Sequence, residues 1–162
     1  MILERIVRDR LHRVIVDRFG VAPYLTRHYL SKPPHMPDGS FPFDQYGDVR
    51  PGAVQGRRRW GRYLHQIHLP DADHAPHCHP WEWCFSIILH GGYVEERPGR
   101  RDRRLRRGSF NFLRHTDYHR IDSVEPDTWT FFVTGPRLES DWGFMVDGQF
   151  VRWQDRYVNL RP

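Results

Sequence analysis

Between Asp71 and Cys84 the chain reads DADHAPHCHPWEWC, which gathers His74, His77 and His79 into one short stretch of a 162-residue sequence holding 11 histidines. In extended backbone, side chains two apart leave the same face, so His77 and His79 can turn together into a shared interior and offer two imidazole nitrogens to one ion. Imidazole suits zinc, copper, iron and nickel, and an added carboxylate shifts the preference toward harder ions. A His-x-His pair also arises where histidines merely hydrogen-bond loop carbonyls, here beside Pro76 and Pro80. A metal reading therefore needs further ligands at workable separations. Glu82 and Cys84 follow at once, and in a regular strand they would share a face from which either could approach the ion.

The elements that must position these residues change character along the chain. Ile2, Leu3, Ile6, Val7, Leu11, Val14 and Ile15 recur at intervals of three and four, which predicts a helix over 2–19 ended by Gly20. Pro23 can open a second short helix through His28, since its missing N–H has no partner in a first turn. From Ser31 to Gly61 prolines and glycines recur without sustained periodicity, and this long loop is either a functional lid or a mobile segment. After Gly61, short apolar runs are cut by turn residues at Gly91-Gly92, Pro98-Gly99, Gly108, Pro126-Asp127, Gly135-Pro136 and Asp147-Gly148. The runs predict strands at 62–69, 83–90, 92–96, 109–113, 119–124, 128–134, 142–146 and 150–153. So many short strands suggest an all-β jelly roll, residues 61–162, preceded by a helical arm and long loop, residues 1–60, in one structural domain.

Composition narrows the partners. A net charge of +5 makes a polyanion conceivable, but the basic residues are scattered arginines, with Lys32 the only lysine. The densest run, Arg97 to Arg107, contains Pro98 and Gly99 and reads as a solvated hairpin loop and its flanks, so nucleic acid is not the expected partner. No apolar run is long enough to span a bilayer. The opening ILERIVRDRLHRVIV carries charges inside its apolar stretch and lacks a small-residue cleavage site, so the expected compartment is the cytoplasm. Cys78 and Cys84 are too few for a disulfide scaffold and are expected as free thiols.

Over residues 60–146 the spacing resembles the cupin superfamily. His77 and His79 match the paired histidines of the family's first motif, and Gly91 matches its closing glycine. Gly108, followed by SFNFLRHTDYH, reproduces the spacing of the second motif up to His119. The resemblance implies a cupin double-stranded β-helix that holds one divalent ion on His77, His79 and His119. The family's glutamate position is Cys84 here, and the proline, glycine and asparagine of the second motif are Arg114, Thr116 and Ser123. Glu82 stands as a displaced carboxylate that could ligate or support the ion; a Cys84 thiolate or water are the alternatives.

The string HCHPWEWCF also looks like the motif of thiol dioxygenases of the cysteine dioxygenase type, cupins that bind iron with three histidines. Some carry a cysteine here, cross-linked to a tyrosine before a later turn. The comparable position, before Thr134-Gly135-Pro136, is Val133, so no such cross-link is expected, and Tyr157 could serve only if the C-terminal strand folded back over the barrel mouth. An ordinary buried Cys84 is the plainer reading. The resemblance favours a non-haem iron(II) dioxygenase acting on a small molecule, with zinc, nickel or manganese as other ions. The alternatives are a non-catalytic module that binds a small molecule or metal, and a cupin isomerase or lyase using a non-redox metal. Cys84, Tyr118 and Arg120 are the candidate catalytic residues, with Tyr63, His65, Arg137 and Trp142 as further pocket candidates. His68 and His74 read as outer residues able at most to orient a ligand, and His115 as a loop histidine that could line the mouth of the barrel. Because exposed sheet edges need cover, a homodimer is expected.

Overall fold

In a computed structural model, residues 2–17, 21–31, 34–42, 50–54, 60–138 and 141–157 are described. A short helix α1 (Ile2–Val7) precedes eleven strands: β1 (His12–Val16), β2 (Pro23–Tyr29), β3 (Gly61–Ile67), β4 (Trp83–His90), β5 (Gly92–Glu96), β6 (Arg103–Arg106), β7 (Phe110–Arg114), β8 (Arg120–Val124), β9 (Thr128–Thr134), β10 (Gly143–Val146) and β11 (Gln149–Arg152). A short helix α2 (Trp153–Tyr157) follows. The large sheet runs β1-β2-β3-β9-β4-β7, a small sheet runs β6-β5-β8, and β10-β11 form a hairpin. All pairings are antiparallel.

The two sheets close on each other because their inward positions are apolar. Leu25, Ile67 and Ile88 of the large sheet meet Tyr93, Leu105 and Ile121 of the small one in a single buried cluster. On the opposite side of the large sheet, Leu3 and Val7 of α1 cover Leu64 and Trp129. β9 lies between β3 and β4 and is buried on both faces, which its continuous TWTFFVT run anticipates.

The sequence misplaces the N-terminal arm. The helix expected over 2–19 stops at Val7, and 12–16 pair as a strand with 23–28 of β2, where a second helix was expected. Val14, Ile15 and Val16 are β-branched, stiff side chains that favour the pleated surface, and a three-and-four spacing over so few turns does not separate the two periods. Pro23 lies where the register slips beside Val16, a place in a sheet that tolerates a missing N–H. Residues 1–60 thus add two strands to the large sheet as well as a helix. Within the long loop, His35 and Val54 form a bridge, their N–H groups donating to each other's carbonyls at 3.2 and 2.8 Å.

The arginine-rich run contains a strand, β6, which the sequence reading passed over. Leu105 alone of its residues is buried, so three arginines mask one core position. Among the described residues no helix is long and apolar enough to cross a membrane.

Two glycines with left-handed backbone permit a direct comparison. Gly91 (φ 63°) turns the chain between β4 and β5, and a Cβ there would lie 2.5 Å from the Thr128 hydroxyl and 2.9 Å from its Cα, whereas Gly99 (φ 71°) faces open space. Gly99→Ala should cost only the backbone conformation, about 1–2 kcal/mol. Gly91→Ala should cost clearly more, and equal urea midpoints for the two variants would show that the Thr128 contact is not tight.

His28 supplies a pH dependence. It stacks on Trp129 with neither ring nitrogen hydrogen-bonded, and burial, aided by His12 and His68, pulls its imidazole down to about 4. The unfolded chain therefore binds a proton that the folded one resists, so the contribution is intact above the ordinary histidine value and is lost as pH falls toward 4. Relative to His28→Phe, the wild type should lose about 1–2 kcal/mol of urea stability between pH 6.5 and 5.

Candidate metal centre

His77 sits in a short segment wedged between two others. Its backbone pairs with His119, N–H to O at 2.8 Å one way and 3.0 Å the other, while Cys78 N–H donates to Gly143 O at 3.0 Å and Met145 N–H to Pro76 O at 2.8 Å. The pleat sends His77 and His79 to one side, their rings 5.1 Å apart, and the Cys78 side chain to the other. The ring of His119 lies 4.8 Å from that of His77 and 5.1 Å from that of His79. One ring nitrogen from each falls within 4.8 Å of the others, and the three form a group able to hold a metal ion.

Tautomer and charge follow from the neighbours. Glu95, 0% exposed, accepts from His119 Nδ1 at 3.0 Å, Asn111 Nδ2 at 2.6 Å and Arg97 Nε at 2.8 Å. Burial by itself would push this carboxyl up, but the hydrogen bonds it accepts from His119, Arg97 and Asn111 outweigh it and hold it at about 2. An ionised carboxylate only accepts, so His119 carries its proton on Nδ1 and presents the Nε2 lone pair to the group. That atom lies 2.9 Å from His79 Nε2. Two nitrogens each about 2.1 Å from one tetrahedral ion would be separated by about 3.4 Å, so a small spreading of the two rings would bring them to shared coordination.

Burial pulls His77 down to about 4 despite the opposing Asp71 carboxylate, 3.7 Å from its Nδ1. His79 is held well below the usual range by burial and then by its two histidine neighbours. Neutral imidazoles with free lone pairs are the form a metal requires. The donor set therefore fits a divalent ion.

The remaining candidates fall elsewhere. Glu82 is exposed and outside the group, because the chain bends there: Trp81 packs inward on Phe132 and Trp83 outward on Phe85 and Phe112, so Glu82 and Cys84 do not share a face. Cys84 is 1% exposed, packed with Leu113 and Phe132, and burial pushes its thiol up to about 12, which disfavours a thiolate. Tyr118 faces the Cys78 thiol on the side away from the imidazoles, and burial together with that neighbour raises its phenol. The guanidinium of Arg120 is held by Glu96 at 2.8 Å and Asp122 at 2.6 Å. Arg137 and His74 are exposed, and His68 Nε2 meets the Thr26 hydroxyl at 2.8 Å. His115 Nδ1 lies 2.8 Å from the His79 carbonyl and steadies that ligand's backbone. The ring of Trp142 lies 6.4 Å from that of His77, and Tyr63 and His65 line the interior beside Phe132. The side chain of Tyr157 lies outside the described residues.

Sequence reasoning missed Glu95 and Arg27. Glu95 was visible as a carboxylate two residues after Tyr93 in a short strand, hence on the same inward face. Arg27 was hidden because 23–28 read as a helix.

No family model and no curated protein matches the chain. Among solved structures, the polyketide cyclase RemF from Streptomyces resistomycificus superimposes with a TM-score of 0.55 at 15% identity, over 96% of this chain and 91% of that one. An RmlC-like cupin protein from Ralstonia eutropha gives 0.49 at 14% identity, over 94% and 82%. The Fe(II) form of HppE gives 0.49 at 10% identity, over 80% and 57%. The likeness holds at the level of the fold, and the all-β jelly roll expected from the sequence is the architecture observed.

Removing the charge of Glu95 tests its hold on His119. Glu95→Gln should weaken zinc binding by roughly 10–100-fold in a chelator competition, as for other outer partners of metal-bound histidines. An unchanged affinity would show that His119 needs no carboxylate.

Proposed function

We propose that the protein is a metal-dependent enzyme acting on a small molecule at an ion held by His77, His79 and His119, with iron(II) the leading ion and dioxygenase chemistry the leading activity. The observation that carries this reading is the convergence of three imidazoles, with no carboxylate or thiolate joining them among the described residues. When bound, iron with three neutral ligands and open positions supports oxygen insertion, whereas zinc, nickel or manganese would act as a Lewis acid.

The chain's own part is positional. Glu95 fixes the His119 tautomer, the backbone pairing of His77 with His119 sets the ligand separation, and Trp81 and Phe132 bring apolar surface to the interior beside His79. Cys84 contributes a protonated, packed thiol to that wall. Its partners in the ladder are Leu113 and Thr134, and Val133 stands at the position where the thiol dioxygenases carry their cross-linked tyrosine. Tyr118 and Arg120, engaged by Cys78 and by Glu96 with Asp122, do not enter the scheme.

A second reading, a non-redox ion promoting cyclisation, isomerisation or elimination, draws on the nearly full-length likeness to a polyketide cyclase.

Metal analysis of protein purified without tag or chelator should find about one divalent ion per chain, lost in His77→Ala and in His119→Ala. Iron with substrate-dependent oxygen uptake supports the dioxygenase, and zinc or nickel without uptake supports the second reading. A chain that takes up no ion even on reconstitution overturns both.

A further inference from the structure

Three partly buried arginines among the described residues are matched by carboxylates, whereas Arg27 is not. Arg97 meets Glu95, Arg120 meets Glu96 and Asp122, and Arg156 meets Asp73. Arg27 projects inward from β2 between Leu25, which belongs to the inter-sheet core, and Tyr29, whose ring meets that of Tyr63. Its guanidinium carbon lies 4.8 Å over the Tyr63 ring and 5.7 Å from the Trp81 ring, and its Nε donates to His65 Nε2 at 2.9 Å. Among the described residues no carboxylate approaches it.

Accepting the Arg27 hydrogen bond leaves His65 neutral, so a full positive charge is held in the barrel by aromatic faces and one lone pair. The terminal nitrogens of the fork have no protein acceptor among the described residues. Trp81 joins this charge to the histidine group, since its ring also lies 5.6 Å from that of His79. A guanidinium so oriented is complementary to a planar carboxylate, which accepts two parallel hydrogen bonds. Tyr63, Trp81 and Phe132 supply flat apolar surface for the body attached to it.

We infer that Arg27 is a substrate-binding residue and that the natural substrate is a small aromatic carboxylate, its acid group on Arg27 and its ring between Arg27 and the histidine group. The inference rests on the metalloenzyme reading for what happens to the substrate, but the anion site stands on Arg27 alone.

Benzoate and its neutral analogue benzamide probe the site by calorimetric titration of the full chain, first stripped of metal so that no ion can bind the carboxylate. Benzoate should bind about tenfold or more tighter than benzamide, a preference lost in Arg27→Gln and partly kept in Arg27→Lys. Equal binding of the two probes, no saturable binding of benzoate, or a preference that survives in Arg27→Gln overturns the inference. If Arg27→Gln does not fold, the comparison of the two probes on the wild type decides. A benzoate preference in a chain that takes up no metal would keep the anion site and remove the metalloenzyme, whereas stoichiometric metal without that preference would do the reverse.

Discussion

A carboxylate at zero exposure must be compensated inside the protein, and the arrangement around Glu95 follows from that constraint. Compensation comes from three places in the chain: Arg97 beyond the end of β5, Asn111 on β7, and His119 just before β8. Since β7 belongs to the large sheet and β5 and β8 to the small one, one buried charge ties the two sheets together at the metal end of the barrel. The opposite end needs no such device, because Leu25, Ile67, Ile88 and Ile121 close it by apolar contact. The barrel thus has an oily end that holds it shut and a polar end where the hydrogen bond to Glu95 sets the direction of the His119 ring.

Much of the barrel was legible because its punctuation is explicit. β4, β5 and β9 were read to the residue, each an apolar or β-branched run stopped by glycine, proline or aspartate. The histidines were legible for a different reason: alternation in extended backbone assigns His77 and His79 to one side whatever the rest of the chain does. Failures came where local pattern was ambiguous or overridden. At 12–28 a strand pair carries spacings that also fit a helix. At Arg103–Arg106 a single leucine marks the strand. At Glu82 a bend between Trp81 and Trp83 breaks the alternation on which the fourth-ligand argument depended. Glu95 shows the limit of reading motifs alone, for it lies between the two histidine motifs and does its work across space.

The two faces of the large sheet divide their aromatic residues by task. Inward, Tyr63, Trp81 and Phe132 meet imidazoles and the Arg27 guanidinium. Outward, Trp83, Phe85, Phe110 and Phe112 stack along neighbouring strands, and Phe110 remains 54% exposed. The bend at Glu82 separates the two sets, since it is there that consecutive tryptophans change sides.

The segment Pro76-His77-Cys78-His79-Pro80 also guards its own alignment. Side chains alternate with a period of two, so a slip of one residue against His119 would present Cys78 to the interior and turn both imidazoles away. Such a slip would set Pro76 or Cys78 opposite His119, and proline has no N–H to complete the reciprocal pair that His77 makes there. A slip toward the C-terminal side would exchange a buried pair of neutral nitrogens for one thiol already in contact with Tyr118. Pro76 thus disfavours one of the two one-residue slips, the one that would set it opposite His119 in place of His77.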